Sequence, residues 1–296
     1  MANSIELAKR FEPIIDDIYK AESVTNGMDA ATKRPSFLGV NEIKVLKVST
    51  TGLGDYNRET GYPKGDVTAA WETMTLEEER GKEISVDRLD DEETLGLTFG
   101  SVTGEFMRLH VIPELDAYRF AKYAQASGIS KATPGDLTKD TIIGAIDEAV
   151  RQMNADEVPR AGRRLYINSD LEPIMNGALQ RQWGSDTSVN TSLTGYNGIP
   201  ITYVPPTRFY NKITLNDGST NWGYTKAADA ADINFMLIYS SAILQVVKFA
   251  LPKIFSPDVN QDKDAWKFQF REYHDAFVYE NKAKGIYVHE KAASAG

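Results

Sequence analysis

The sequence predicts an α+β protein with an extended hairpin, a long helix and a compact α/β region. Three observations carry that prediction. Two strand-like stretches, 42–49 and 67–86, flank a polar segment, and a helical pattern follows over 91–126. From residue 135 helical and strand patterns alternate, and after residue 245 the texture returns to strands.

The first element, 4–22, reads as an amphipathic helix with Ser4 as N-cap and Glu6 in the first turn. Ala8, Phe11, Ile15 and Ile18 recur at three- and four-residue spacing on one face, and Pro13 interrupts the pattern. Residues 23–40 are polar, with turn signals at Asn26-Gly27 and Arg34-Pro35. An apolar-faced helix and a polar linker read as an arm. Its face packs either on its own subunit or on another.

The hairpin comes next. Its first arm is Glu42–Ser49, and its returning arm runs from about Val67 to Val86. Between them lies Gly52–Asp66, with four glycines, one proline, five charges and two tyrosines. Such a tip has no core of its own, and connections longer than about 12–15 residues are usually functional or disordered. A two-stranded ribbon is also marginal alone in water. This hairpin therefore needs a surface to lie on, from its own body or from a neighbour. Tyr56, Tyr62 and Arg58 are residue types favoured as interface anchors.

The helix after the hairpin opens on Asp90-Asp91-Glu92-Glu93. Asp90 with Glu93 has the capping-box form, and the acidic turn complements the helix dipole. That role explains the carboxylates more economically than a metal site does. The apolar stripe is Leu95, Phe99, Val102, Phe106, Leu109 and Ile112, continuing through Asp116, Phe120 and Tyr123, with a bend predicted at Pro113. A helix over 91–126 is about 54 Å long. Gly96, Gly100 and Gly104 lie on one side of it. Each costs about 1 kcal/mol relative to Ala, so three together predict close approach by another element.

Pro134-Gly135-Asp136 marks a boundary. Ile142, Ile143, Ile146, Ala149, Val150 and Met153 form a helical stripe. Arg164–Asn168 reads as a buried strand, Ser169 or Asp170 as the cap of a helix to Gln182, and Gly198–Val204 as another strand. Residues 206–232 read as a long polar surface loop, and Ile233–Ile238 as a strand. Gln245–Phe255 is extended, with Pro252 and Pro257 placing it at an edge or at an exit from the sheet. Trp266, Phe268 and Phe270 alternate with polar residues, and His274–Tyr279 continues that strand. Asn281–Gly285 is a turn and Ile286–His289 a final strand.

Composition excludes several classes of chemistry. The 296 residues contain no cysteine, which removes disulfides, zinc-thiolate sites, iron–sulfur clusters and cysteine nucleophiles. A net charge of −9 opposes a histone-like grip on phosphates. No signal-peptide pattern and no apolar run of spanning length is present, so no membrane role is expected. His110, His274 and His289 have no partner ligands at metal spacing, and no nucleophile elbow, phosphate loop or complete dinucleotide fingerprint occurs. Arg160, Arg163 and Arg164 form a small basic cluster that reads as a phosphate contact or, more economically, as a solvated strand start. No catalytic residue, cofactor or metal site is expected, and the chain is not expected to be an enzyme.

The order of arm, long hairpin, acidic-capped helix, α/β region and returning strands resembles the major capsid proteins of tailed bacteriophages, the Hong Kong 97-type fold. The resemblance is strongest to those of phages infecting Gram-positive bacteria. It rests on Gly52-Leu-Gly-Asp-Tyr56, Glu92–Gly100, Val111–Tyr123, and His274–Val278 with Gly285–His289, in that order.

The resemblance implies a role for each part. Residues 1–41 would be the N-terminal arm and 42–88 the E-loop lying over an adjacent subunit. Residues 89–134 would hold the spine helix of the peripheral domain, 135–245 the axial domain, and 246–296 the rest of the peripheral sheet and the C-terminus. Leu53, Asp55, Tyr56, Arg58, Tyr62 and Lys64 would make E-loop contacts between subunits. Phe11, Ile15 and Ile18 would make arm contacts, and Gly96, Gly100 and Gly104 would pack the spine helix. The implied function is a structural protein that self-assembles into the icosahedral head shell enclosing phage DNA. An encapsulin-like nanocompartment shell is the alternative.

The implied partners are copies of itself as pentamers and hexamers, portal and head-completion proteins, and packaged DNA held without sequence-specific binding. A separate scaffolding protein is implied because the arm is shorter than a built-in scaffold segment. Lys64 and Asn281 have the residue types of the family's cross-link, and no cross-link is assumed. The implied location is the virion capsid, after assembly in the host bacterial cytoplasm.

Overall fold

The structure is a computed structural model and describes residues 23–28, 42–59, 61–62, 64–89, 97–178 and 193–292. Phe11, Ile15, Ile18, Gly96 and the acidic cap Asp90–Glu93 lie outside the described residues. The chain divides into two compact units, Ala31–Glu78 and Met1–Ala30 with Glu79–Gly296.

The smaller unit is a β-hairpin. Strands β1 (Glu42–Thr50) and β2 (Val67–Thr75) pair antiparallel from Glu42↔Thr75 to Thr50↔Val67. The returning arm is not continuous to residue 86. It breaks at Leu76-Glu77, and β3 (Glu78–Asp87) belongs to a different sheet. Alternation alone did not mark this break, because strand character resumes two residues later.

In the larger unit, β3 lies beside β11 (Ile243–Phe255) and β12 (Ala265–Val278) in the order β11-β12-β3. β11 is an edge strand, as Pro252 requires, since a proline has no N–H to donate inward. The long helix packs here. Its described part consists of α1 (Leu97–Phe106), a π-helical turn (Met107–Val111) and α2 (Ile112–Gln125). The Ile112 N–H reaches the Met107 carbonyl, the i→i−5 pattern. Pro113 follows at once and has no N–H for the Leu109 carbonyl, so a widened turn replaces a regular one there.

The π turn shifts the buried stripe by one residue. Met107 and Val111 are buried with Phe268 and Phe270, while Leu109, expected in the stripe, is exposed. Beyond the turn, Ile112, Leu115, Phe120 and Tyr123 are buried.

A six-stranded sheet completes the unit in the order β4-β13-β10-β5-β7-β6. Its strands are β4 (Ser130–Lys131), β5 (Arg163–Asn168), β6 (Gly195–Tyr196), β7 (Ile199–Val204), β10 (Ile233–Tyr239) and β13 (Ile286–Glu290). β5 and β10 are buried almost throughout, and their residues alternate between two cores. Leu165, Ile167, Phe235 and Leu237 face α3 (Ile142–Ala155), whose Ile142, Ile146, Ala149, Val150 and Met153 form one stripe. Tyr166, Met236 and Ile238 face the other way and share a core with Tyr118, Phe120 and Tyr123 of α2.

Several expectations change. The final strand was read together with residues 246–285, but it joins the six-stranded sheet through β10, because the turn over Glu280–Gly285 carries it there. Asn168, not Ser169 or Asp170, caps the next turn by accepting the Asp170 N–H at 3.0 Å, and the described helix is α4 (Glu172–Ala178). Asn197 and Gly198 both have positive φ, forming the two-residue turn between β6 and β7. The polar stretch 206–232 carries a small hairpin, β8 (Ile213–Leu215) with β9 (Tyr224–Lys226). Arg163 is buried, not solvated: its guanidinium holds the Pro159 and Val158 carbonyls and Asn154.

Candidate assembly surface

The register of the hairpin decides which side chains share a face. Leu46 lies opposite Trp71, Val48 opposite Ala69 and Thr50 opposite Val67. Directly opposed residues point to the same side of a ladder, so Leu46, Val48, Val67 and Trp71 form one apolar stripe. All four are exposed, Trp71 to 62%. On the other face Ile43 and Met74 are opposed and buried. The sequence reading singled out the tip and missed this stripe. The signal was present in Leu46, Val48 and Trp71, but only the register aligns them.

The tip has local order without a core. Tyr56 and Tyr62 meet edge to face with centroids 5.0 Å apart. Asn57 and Gly61 form a bridge, the Asn57 side chain accepts the Glu59 N–H at 2.7 Å, and Gly61 has a φ of 83° that favours glycine. Leu53, Asp55, Tyr56, Arg58, Tyr62 and Lys64 are all exposed, Tyr62 to 86%. The structure thus brings Tyr56 and Tyr62 together and presents the other four around them. The hairpin thus exposes an apolar stripe along one face and a ring pair at its tip.

Of the three glycines, Gly100 and Gly104 fall four residues apart within α1.

The larger unit contains a polar seam between α2 and β12. Tyr118 donates to Asp275 at 2.8 Å, and its ring meets His274 edge to face. Glu272 and His274 enter a cavity of about 170 Å³ that Phe106, Val111, Leu115 and Phe270 also line. Neither Glu272 Oε1 nor His274 Nδ1 has a hydrogen-bond partner. Burial pushes the Glu272 carboxyl up to about 7 against the pull of Arg119, and pushes His274 down to about 3 with help from Arg119 and Arg80. At the mouth, Arg80 of β3 donates to Glu114 at 2.6 Å and to the Asn216 and Gly223 carbonyls, so it holds the β8–β9 loop to α2. Lys82 sits over the Trp222 ring. Perturbed acids in a cavity are found in enzymes and also in structural charge networks. Among the described residues no group of three His, Cys, Asp or Glu is placed to hold a metal ion.

No protein-family model and no curated protein matches this sequence. Solved structures do match. A chain from Gordonia phage Cozz is 15% identical, with a TM-score of 0.61 over 92% of this chain and 87% of that one. The capsid structure of cyanophage P-SCSP1u is 12% identical, with a TM-score of 0.60 over 88% and 86%. A virus-like particle from Pyrococcus furiosus is 12% identical, with a TM-score of 0.52 over 96% and 100%. These neighbours share one architecture along nearly the whole chain. The protein has the α+β fold of phage capsids, the Hong Kong 97-type fold expected from the sequence.

Proposed function

We propose that this chain is the major subunit of an icosahedral shell, the head of a tailed bacteriophage, and that its role is structural and not enzymatic. The observation that carries the reading is the apolar stripe Leu46, Val48, Val67 and Trp71, left exposed on a hairpin within a capsid fold. Obligate interfaces bury roughly 2,000–5,000 Å², and a ribbon that lies over a neighbour gains such area directly. Closed shells need contacts of this head-to-tail kind.

In this reading the hairpin β1–β2 with its tip is the E-loop, and α1 to α2 form the spine helix. β3, β11 and β12 form the peripheral sheet, and the six-stranded sheet with α3 forms the axial domain. Phe11, Ile15 and Ile18 belong to the arm that meets neighbours. Subunits gather as pentamers and hexamers in the host cytoplasm and become the virion capsid. A separate scaffolding protein, a portal with head-completion proteins, and packaged DNA are the further partners. The net charge of −9 suits a wall that contains DNA without gripping it.

The test is sedimentation of the recombinant chain, alone and with its scaffolding protein, followed by negative-stain microscopy. Closed shells are expected, and deletion of residues 53–65 should leave a folded subunit that builds none. A wild-type chain that stays monomeric under both conditions, with a protease-resistant tip, overturns the reading. The virus-like particle neighbour keeps a second reading in view, a compartment shell around protein cargo. Contents separate the two: DNA in native particles supports the phage head, and a packaged enzyme supports the compartment.

A further inference from the structure

Residues 23–28 are the only described part of the N-terminal segment, and they are held by a set of polar contacts. Asp116 of α2 is fully buried, and its carboxylate accepts from Ser23 Oγ at 2.8 Å and Thr25 Oγ1 at 2.6 Å. It also accepts the N–H groups of Val24 at 3.2 Å and Thr25 at 3.3 Å. Arg208 donates to the same carboxylate at 3.3 Å. Arg119, one turn along α2, donates to Thr25 Oγ1 at 2.8 Å. Met28 then inserts into the core around Phe120 and Phe209.

A buried carboxylate is costly unless its lone pairs are filled. Four of the five donors here come from three consecutive residues of one segment, Ser23, Val24 and Thr25. Apolar packing would hold that segment with less desolvation, but it would allow sliding. Convergent hydrogen bonds to one fixed carboxylate define both position and direction.

We propose that Asp116 is the positioning residue of the N-terminal segment, a buried tether that fixes Ser23–Thr25 against α2 and with them the point at which residues 1–22 join the subunit. The proposal rests on the shell reading only for its consequence, that neighbours then meet the arm at a reproducible place. Thr25 both donates to Asp116 and accepts from Arg119, so its hydroxyl is the joint of the tether. Ser23 adds a second hydroxyl, and Arg208 supplies the opposite charge to the carboxylate.

The test uses the full-length chain and hydrogen exchange read by peptide. Thr25→Ser keeps the hydroxyl and should keep wild-type protection over residues 23–28. The pair Ser23→Ala with Thr25→Val removes both hydroxyls and should raise exchange there by about 10-fold or more, while α3 keeps its wild-type rates. Wild-type protection of 23–28 in the double variant overturns the proposal. Equal loosening of α3 also overturns it, because the contacts would then serve global stability and not the tether. Where the wild type closes shells, the double variant should give open or irregular ones, and normal shells from it would sink the assembly consequence. A wild type that forms no shells counts against the shell reading instead, and the exchange comparison still decides the tether.

Discussion

Glu272 and His274 share one face of β12 and enter the same cavity, and burial moves their protons in opposite directions. The carboxyl, raised from 4.5 to about 7, is neutral in the fold between those two values, where the unfolded chain would ionise it. The imidazole, lowered from 6.5 to about 3, is neutral where the unfolded chain would charge it. Between pH 4.5 and 6.5 the proton count is nearly unchanged on folding, and the proton passes from His274 to Glu272.

The pH dependence follows from those signs. The Glu272 contribution is fully present below 4.5 and is lost as pH rises to about 7. The His274 contribution is present above 6.5 and is lost as pH falls toward 3. Glu272→Gln removes the first loss, so it should stabilise the subunit increasingly from pH 5 to 8, by roughly 3 kcal/mol at the top of that range. Urea unfolding of both proteins at several pH values checks this. Parallel curves for the two would show that Glu272 titrates as in the unfolded chain.

The apolar stripe should separate assembly from folding. Trp71→Ser or Leu46→Ser changes an exposed side chain, so the monomer's unfolding free energy should move by no more than about 0.5 kcal/mol. Shell yield by sedimentation should collapse. Unchanged yield would remove this face from the contact.

Arg80 should act as a clamp. Its three donors hold Glu114, Asn216 and Gly223 in one fork, so Arg80→Ala should cost roughly 2–3 kcal/mol and speed exchange over residues 216–223. Arg80→Lys should restore little, because one ammonium cannot reproduce the fork. Full recovery by lysine, measured in the same exchange experiment, would contradict the clamp.

The π turn gives a simple contrast. Leu109→Lys should be tolerated within about 0.5 kcal/mol, whereas Val111→Lys should cost several, since only the second buries a charge against Phe268 and Phe270. Thermal unfolding of the two variants suffices, and the reverse order would place the stripe back in α-helical phase.

Much of this architecture was legible because it follows from local periodicity. The alternation from Trp266 to Phe270 marked β12, the stripe Ile142–Met153 marked α3, and Pro252 marked an edge strand. The hairpin was visible because polar residues 52–66 separate two strand-like stretches. Leu109 was placed wrongly because a π turn is invisible in composition, and only its neighbours' burial reveals the changed phase. Asp116 was read as one more position in a helical stripe, since nothing in the sequence ties it to Ser23 and Thr25, about ninety residues away.

The sequence by itself determined the order of elements, the absence of thiol chemistry, the acidic balance and the hairpin with its polar tip. Those depend on residue type and on spacing within one or two turns. Tertiary structure alone decided that β3 leaves the hairpin and that β13 crosses to the six-stranded sheet. It also aligned Leu46, Val48, Val67 and Trp71 on one face and closed a buried carboxylate around Ser23–Thr25. Each of these is a pairing between distant segments, set by register and by the requirement that buried polar groups find partners.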